Sequence, residues 1–253
     1  MKETIVVKVG TKLLVTEKGK LDLNNLRQLS TQLSEINNMY NVILVSSGSI
    51  ISGAELLDII PETIPEKQAA AALGQILLMK EYSQFFEQNK HRVAQILLTK
   101  DSFFDDLKKT NVRNTIEMLF KKNIIPIINE NDTVATDEIQ FGDNDILSSH
   151  VAILMKAKKY IILTDQDGIY TNNPEHDKHA SLIPELNDIS DEMISKAPST
   201  LDTKGKGGIK SKLMAAQFAL DKKIITFIAN GRDHGIIMKI LNDEKVGTCI
   251  KPI

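Results

Sequence analysis

The sequence predicts an α/β fold, a three-layer αβα sandwich whose central sheet is mostly parallel. Short β-branched runs alternate from end to end with segments that have the apolar spacing of a helix. Several runs end in small or polar residues just before a helix, which is the pattern of a strand, a turn and a crossover helix. With 253 residues, 42% of them hydrophobic, the chain can bury a core as one domain or two lobes.

The first half of the chain predicts four strands and the helices between them. The strands are expected at residues 4–9, 42–45, 93–98 and 124–128. The helices are expected to begin at Asp22 and Ile50 and to span 66–88 and 110–122. We expect Met118, Leu119 and Phe120 to lie in the core.

The second half continues the alternation and predicts a second lobe of the same domain. Strands are expected at 160–163, at 224–228 and near Cys249, and helices after 145, at 209–220 and near 233–241. A division near 156–159 would separate an N-terminal lobe, about 1–157, from a C-terminal lobe, about 158–253, within a single domain 1–253.

Composition and charge exclude several classes of function. The formal net charge of −2 argues against nucleic acid as the main partner, because nucleic-acid-binding domains are usually basic. Apolar runs are too short to span a membrane, and the N-terminus enters a strand without a signal peptide, so we expect a cytoplasmic protein. The single cysteine, Cys249, is expected in the core and excludes an internal disulfide.

Two clusters of acids and amides follow the strand at 124–128 and suggest a binding pocket. They are NEND at 129–132 and GDND at 142–145, on either side of a short hairpin-like piece at 135–141. Asn and Asp are common turn formers, so a solvated surface loop is one interpretation. Ligands of open α/β sheets bind at the carboxyl ends of strands, so a pocket is the other. Asp143 or Asn144 would also cap the following helix.

Three further segments suggest an anion site. Lys8 lies on the first strand and is either a snorkelling lysine or a phosphate ligand. The turn at 46–49, SSGS, joins a strand to a helix and offers backbone N–H groups. The loop 198–208 ends in KGKGG and leads into a helix with Lys210 and Lys212 in its first turn, which suggests a bound polyanion, although the loop lacks the Walker pattern.

Six motifs occur in order along the chain: KVGT at 8–11, SSGSI at 46–50, INENDTV at 128–134, FGDND at 141–145, LTDQDGIY at 163–170 and KGGIKSK at 206–212. With these motifs the chain closely resembles the glutamate 5-kinases of the amino acid kinase superfamily, over essentially its whole length. LTDxxGxY and the first-strand lysine are shared with other members, whereas the pair NEND and GDND is more particular to this family. Many members also have a C-terminal PUA domain, and we expect the short form that lacks it.

The resemblance implies ATP-dependent phosphorylation of the side-chain carboxylate of L-glutamate, the first step towards proline. By the same resemblance, the predicted glutamate-binding residues are Ser47, Gly48, Asn129, Asp132, Asp143 and Asn144. The predicted ATP-binding residues are Lys8, Thr164, Asp165, Lys206, Gly207, Gly208, Ile209, Lys210, Ser211 and Lys212. Lys8, Lys212 and Asp145 are the predicted catalytic residues. The family's loop usually reads GTGGM, and Lys206, Ile209 and Ser211 depart from its pattern.

The expected chemistry agrees with the residue types. A carboxylate acceptor with a pKa of about 4.3 is ionised at neutral pH and needs no general base, which explains why no motif contains histidine. Lysines and Mg²⁺ carried by the ATP phosphates would neutralise the transferred phosphoryl group, so no separate protein metal site is predicted. The acids would bind the substrate ammonium group, or orient a lysine or the hydrated Mg²⁺.

Three other readings are open, and so are the partners. A sister kinase acting on N-acetylglutamate, aspartate or UMP would lack the paired clusters, a non-catalytic amino-acid sensor would lack the phosphate lysines, and a nicotinamide-dependent dehydrogenase would need GxGxxG after the first strand. The resemblance also implies proline as a feedback inhibitor. We further expect a homo-oligomer and contact with the enzyme that consumes the labile acyl phosphate.

Overall fold

The computed structural model describes residues 2–16, 18–135, 144–174, 176–197 and 208–253. Within these ranges, eight strands form one sheet. The strands are β1 (Thr4–Val9), β2 (Asn41–Ser46), β3 (Arg92–Leu98), β4 (Ile124–Glu130), β5 (Lys159–Thr164), β6 (Glu185–Leu186), β7 (Ile225–Asn230) and β8 (Thr248–Ile250). Their order across the sheet is β3-β4-β2-β1-β5-β7-β8-β6, so that β1 lies near the centre.

The described helices connect these strands and flank the sheet. They are α1 (Thr11–Leu14), α2 (Leu23–Asn37), α3 (Ser49–Leu57), α4 (Ile64–Gln88), α5 (Asp106–Lys121), α6 (Asn144–Leu154), α7 (Asp191–Lys196), α8 (Ile209–Leu220) and α9 (Ile236–Leu241). As the sequence predicts, the Asp22 carboxylate caps α2 by accepting a hydrogen bond from the Asn25 N–H. Thr63 and Glu66 form a capping box at the start of α4.

The neighbouring strands β3, β4, β2, β1, β5 and β7 all run parallel to one another, and β8 is antiparallel to β7. Helices cover both of its faces. One core cluster joins the sheet to α2, α4 and α9, and the other joins it to α5, α6 and α8. The three-layer α/β fold with a mostly parallel sheet is therefore confirmed.

The side chains of β1 alternate between these two layers, and this determines where Lys8 points. Ile5, Val7 and Val9 belong to the first cluster, while Val6 belongs to the second. Because successive side chains of a strand point to opposite faces, Lys8 lies on the same face as Val6. It therefore points towards the layer that contains α6 and α8.

The parallel register brings the carboxyl ends of the central strands to one edge of the sheet. Val9 pairs with Ser46 of β2 on one side and with Leu163 of β5 on the other. Ile128 of β4 pairs with Val45. The segments that follow β1, β2, β4 and β5 consequently leave the sheet side by side, and these segments contain most of the predicted site residues.

Helix α5 departs from the prediction. It begins at Asp106, four residues before the expected start, because Asp105 accepts a hydrogen bond from the Lys108 N–H and caps it. Met118 is 53% exposed, so its placement in the core was wrong, and Leu119 and Phe120 are only half-buried. The buried face of α5 is instead formed by Val112 and Ile116, which are one helical turn apart.

Two other predictions concern the chain as a whole. The proposed boundary between the lobes falls between α6 and β5, but β5 pairs directly with β1, so the sheet continues across it. The division into lobes stays a prediction. In the part of the chain that the structure describes, no helix is both long enough and apolar enough to cross a membrane.

Candidate active site

Two lysines and one aspartate meet at the carboxyl edge of the sheet. Lys8 comes from β1, Asp145 from the first turn of α6 and Lys212 from the first turn of α8. The Lys8 Nζ lies 2.5 Å from Asp145 Oδ1, and the Lys212 Nζ lies 3.3 Å from Asp145 Oδ2. All three residues are at least 95% buried. The structure thus brings the three predicted catalytic residues together.

Neighbouring hydroxyl groups hold Asp145 in place. Ser211 Oγ donates to Asp145 Oδ2 at 2.7 Å. Ser148 Oγ and Tyr160 OH both donate to the Asp145 backbone carbonyl, at 2.7 and 3.0 Å. Because α6 also packs against α8, the carboxylate is fixed between the two lysines rather than free to rotate.

The charge of Asp145 follows from this setting. Burial by itself would raise the pKa of its carboxyl group, but Lys212 and Lys8 lower the pKa by more, and Ser211 contributes a hydrogen bond. The net pKa is well below the ordinary value of 3.8, so Asp145 is ionised at neutral pH. Two ammonium groups then face one carboxylate, and the cluster can attract a polyanion at the sheet edge.

A second group of polar side chains lies on the β2 and β4 side of this cluster. Asn144 Nδ2 donates to Asn129 Oδ1 at 2.8 Å and lies 3.1 Å from Ser47 Oγ. Asn129 Nδ2 in turn donates to Gln75 Oε1 of α4 at 2.7 Å. The structure therefore joins three of the predicted glutamate-binding residues in one hydrogen-bonded network with Gln75.

The turn after β2 presents further polar groups to the same region. Gly48 has a φ of 101°, a conformation that residues with a side chain rarely adopt, and it forms the N-cap of α3. Immediately after it, Ser49 Oγ donates to Asp132 Oδ2 at 2.8 Å. Asp132 lines a small pocket, which we call the acceptor pocket and whose described lining residues are Ala71, Gln75, Leu97, Glu130, Asn131, Asp132 and Thr133.

The predicted nucleotide-binding residues lie on the other side of β1. Thr164 ends β5, and its hydroxyl donates to Asp165 Oδ1 at 3.1 Å. The Asp165 carboxylate also lies 3.5 Å from the Lys12 Nζ, in a partly exposed ion pair. These groups and the start of α8 surround the β5 side of the lysine cluster.

At the start of α8, Gly208 is the N-cap and Ile209 is the first helical residue. Ser211 Oγ also lies 3.0 Å from the Gly208 carbonyl oxygen. Lys210 is exposed and takes no part in the described contacts around Asp145, unlike Lys212, which lies two residues further along the helix. Three predicted site residues, Asp143, Lys206 and Gly207, lie outside the described residues.

The described residues offer no separate metal centre. Within the described ranges, no group of three or more His, Cys, Asp or Glu side chains is arranged to hold a metal ion. Both oxygens of Asp145 already face ammonium or hydroxyl groups.

Gln75 was missed by the sequence analysis. It lies in the middle of the long helix α4, shortly after a run of four alanines. The only available signal for a site residue here was a polar residue directly after Gly74, on the buried face of that helix. Only the contact with Asn129 reveals that it belongs to the site.

Comparisons with known proteins show the family. The model of the amino acid kinase family matches residues 3–230. A glutamate 5-kinase from Thermoanaerobacter sp. (strain X514) is 42% identical over 98% of this chain and 68% of its own length. One from Clostridium perfringens (strain 13) is 44% identical over 96% of this chain and 93% of its own length.

Solved structures with low identity share the fold. A UMP kinase from Bacillus anthracis has a TM-score of 0.67 at 17% identity, covering 99% of this chain and 96% of its own. An isopentenyl phosphate kinase from T. acidophilum has a TM-score of 0.67 at 16% identity, covering 98% of this chain and 100% of its own. The chain therefore belongs to the amino acid kinase family and, within that family, to the glutamate 5-kinases.

Proposed function

We propose that this protein transfers the γ-phosphoryl group of MgATP to the side-chain carboxylate of L-glutamate and forms L-glutamate 5-phosphate, the first step of proline biosynthesis. The relatives with more than 40% identity carry the name glutamate 5-kinase. The observation that carries the proposal is the Lys8–Asp145–Lys212 cluster beside a pocket of acids and amides.

The acceptor pocket suits an amino acid. L-Glutamate carries two carboxylates and one ammonium group, so its site needs both hydrogen-bond donors and at least one acid. Asp132 supplies an acid, and Ser49 holds that carboxylate in place. Ser47, Asn129 and Asn144 supply amide and hydroxyl groups around it. In our proposal Asp132 meets the ammonium group, which would favour an amino acid over a plain diacid.

The lysine cluster suits phosphoryl transfer. The acceptor carboxylate is already ionised at neutral pH and attacks without a general base. Charge on the transferred oxygens must be neutralised, and Lys8 and Lys212 approach that position from β1 and α8. We assign Asp145 the task of holding the two ammonium groups apart at a fixed spacing, because its oxygens each face one of them.

The nucleotide would lie on the β5 side of this cluster. The start of α8 offers backbone N–H groups and the positive end of a helix of 12 residues. Thr164 and Asp165 add a hydroxyl and a carboxylate at the end of β5. We assign the predicted loop residues Lys206 and Gly207 to the ATP phosphates on the strength of the motif alone. Mg²⁺ would enter the site bound to those phosphates, as MgATP.

Several features of the proposal reach beyond the site. We propose that proline inhibits the enzyme by occupying the amino-acid end of the acceptor pocket, since it has the same α-carboxylate and a charged nitrogen but no nucleophile. We also propose a cytoplasmic location, a homo-oligomeric state and contact with the enzyme that consumes the acyl phosphate, whose lability favours direct transfer. Of these features, inhibition by proline rests on the family resemblance.

A panel of acceptors tests the function. Isolated protein with MgATP should release ADP when L-glutamate is added. N-Acetylglutamate lacks the ammonium group, aspartate is one methylene shorter, and UMP is a phosphate acceptor, so each should react at least about 10-fold more slowly in kcat/KM. Faster turnover with any of the three would refute the assignment of glutamate.

A further inference from the structure

Three side-chain amides form a row along one wall of the candidate site. Asn144 Nδ2 donates to Asn129 Oδ1 at 2.8 Å, and Asn129 Nδ2 donates to Gln75 Oε1 at 2.7 Å. The row begins at the residue before Asp145 and ends on α4, at the lining of the acceptor pocket. It therefore extends from the lysine cluster into the pocket.

Backbone groups determine which way each amide points. Asn129 Oδ1 accepts a hydrogen bond from the Glu130 N–H at 2.9 Å, so the Nδ2 of Asn129 must face Gln75. At the other end, Asn144 Nδ2 donates to the Ser46 carbonyl at 3.3 Å, and a carbonyl can only accept. Reversing any one amide would place two donors or two acceptors against each other. The orientation of the whole row is thus fixed.

This orientation leaves one polar atom without a partner at each end. Gln75 Nε2 is a buried donor and Asn144 Oδ1 is a buried acceptor, and neither has a hydrogen-bond partner among the described residues. Gln75 as a whole is 92% buried, at 8% exposure. Buried polar groups in folded proteins are nearly always paired, so an orphan donor and an orphan acceptor in one row require an explanation.

An amino acid supplies the missing partner of Gln75, because its carboxylate can accept a hydrogen bond from Gln75 Nε2. Asn144 is adjacent to Asp145, where the phosphoryl group is transferred, whereas Gln75 is two amides further away. The carboxylate that meets Gln75 is therefore the one remote from the reacting end of the substrate.

We propose that Gln75 is a specificity-determining residue whose Nε2 donates to the α-carboxylate of the acceptor amino acid. The inference rests on the proposed function and adds a residue to it. The amide row then acts as one unit, because it fixes the direction of the Gln75 donor towards the α-carboxylate. A ligand without an α-carboxylate leaves this donor unpaired and should bind more weakly.

The variant Gln75→Glu tests this directly, because it keeps an oxygen for Asn129 and replaces the orphan donor by an acceptor. We expect the KM for L-glutamate to rise at least about 10-fold, with kcat and the KM for ATP within about 3-fold of the wild-type values. The matched control is Gln84→Glu, which makes the same change at an exposed position of α4. Its KM for L-glutamate should not change.

A substrate analogue separates recognition from structural damage. L-Isoglutamine, the α-amide of glutamate, keeps the ammonium group and the side-chain carboxylate but offers an N–H donor at the α-carboxyl position. Wild type should prefer glutamate. Gln75→Glu should shift the ratio of the two kcat/KM values towards isoglutamine by about 100-fold, because the variant offers an acceptor where isoglutamine offers a donor. A purely structural role for Gln75 would weaken both acceptors alike.

The outcomes are distinguishable. Wild type that is active on glutamate, together with a Gln75→Glu variant whose acceptor ratio is unchanged, overturns this inference alone. Wild type that turns over no amino acid overturns the proposed function as well. If Gln75→Glu melts several degrees lower than wild type, Gln75→Met replaces it, and calorimetry should then show at least about 10-fold weaker glutamate binding with unchanged ATP binding. Unchanged glutamate affinity in that variant also overturns the inference.

Discussion

At the scale of single residues, Asp145 is the group on which the site depends. It is one carboxylate between two buried ammonium groups, and breaking such a pair leaves an uncompensated buried charge. The sequence could identify Lys8, Asp145 and Lys212 as a set only through the family resemblance. The sequence alone does not show that these three side chains are close in space, because more than 60 residues separate each from the next along the chain.

Replacing either lysine by alanine should mainly slow the chemical step. Lys8→Ala or Lys212→Ala removes a fixed positive charge from the developing phosphoryl oxygens, and kcat should fall on the order of 10² or more. Steady-state kinetics with saturating ATP and glutamate measure this. Lys222→Ala, an exposed lysine beyond the end of α8, is the control. Normal kcat with only a raised KM for ATP would instead assign the lysine to ground-state binding.

The pH dependence of stability should report the charge of Asp145. Its pKa is lower in the folded protein than the ordinary value of 3.8, so its contribution to the free energy of unfolding is complete above that value. The contribution is lost as the pH falls through the lowered folded pKa. Denaturant unfolding should therefore show a difference between wild type and Asp145→Asn that is largest at neutral pH and shrinks towards about pH 2.

Asp188→Asn, at an exposed position, is the control for this experiment, and it should show little difference from wild type at any pH. A difference between wild type and Asp145→Asn that stays constant from neutral to acidic pH would contradict the ion pair.

At the scale of elements, the contact between α3 and α4 positions Gln75, which lines the acceptor pocket. A Cβ atom on Gly74 would lie 1.8 Å from the Ser49 carbonyl oxygen, and one on Gly53 would lie 1.7 Å from the Ala70 carbonyl oxygen. The two helices can approach this closely only because both positions are glycine. Ser49 and Gln75, which adjoin this contact, owe their positions to it.

Gly74→Ala should consequently harm both stability and acceptor binding. The added methyl group would clash with the Ser49 carbonyl oxygen, so the two helices must separate. The free energy of unfolding should therefore fall by about 1–3 kcal/mol or more. The KM for glutamate should rise more than the KM for ATP, since the nucleotide side lies across β1. Gly10→Ala is the steric control in unfolding experiments, as its Cβ would meet the nearest atom at an ordinary 3.5 Å. Equal stability of Gly74→Ala and wild type would refute the close packing.

The elements also show what the sequence could and could not predict. Periodicity predicted β1 to the residue and β2 to within one residue at each end, because burial on one or two faces leaves a regular pattern. It misjudged α5, where the cap at Asp105 and the exposure of Met118 depend on local contacts. It missed Gln75 because a single polar residue on a helix does not reveal its partner across the fold.

At the scale of the whole molecule, β1 separates two sides of the site. The segments after β2 and β4 carry the predicted glutamate-binding residues, while β5 and α8 carry the predicted nucleotide residues, and Lys8 lies on the strand between them. This arrangement follows from the strand order β4-β2-β1-β5. The sequence predicted the fold class, but the side-by-side placement of NEND and SSGS required the strand order.

If proline uses the acceptor pocket, its binding and that of glutamate should be lost together. Asp132→Ala removes the acid that we assign to the charged nitrogen, so both ligands should bind at least about 10-fold more weakly. Titration calorimetry with wild type and Asp132→Ala measures this, and inhibition by proline should weaken as glutamate rises. Unchanged proline affinity in a variant that has lost glutamate affinity would exclude a shared site.

The central claim is that the acceptor atom belongs to the side-chain carboxylate of glutamate. An acyl phosphate reacts with hydroxylamine to give a hydroxamate, whose position along the amino acid can be read by mass spectrometry. Protein, MgATP, L-glutamate and hydroxylamine together should yield the side-chain hydroxamate, in an amount equal to the ADP released. Hydroxamate at the α-carboxyl group, or ADP released without any hydroxamate, would contradict this assignment.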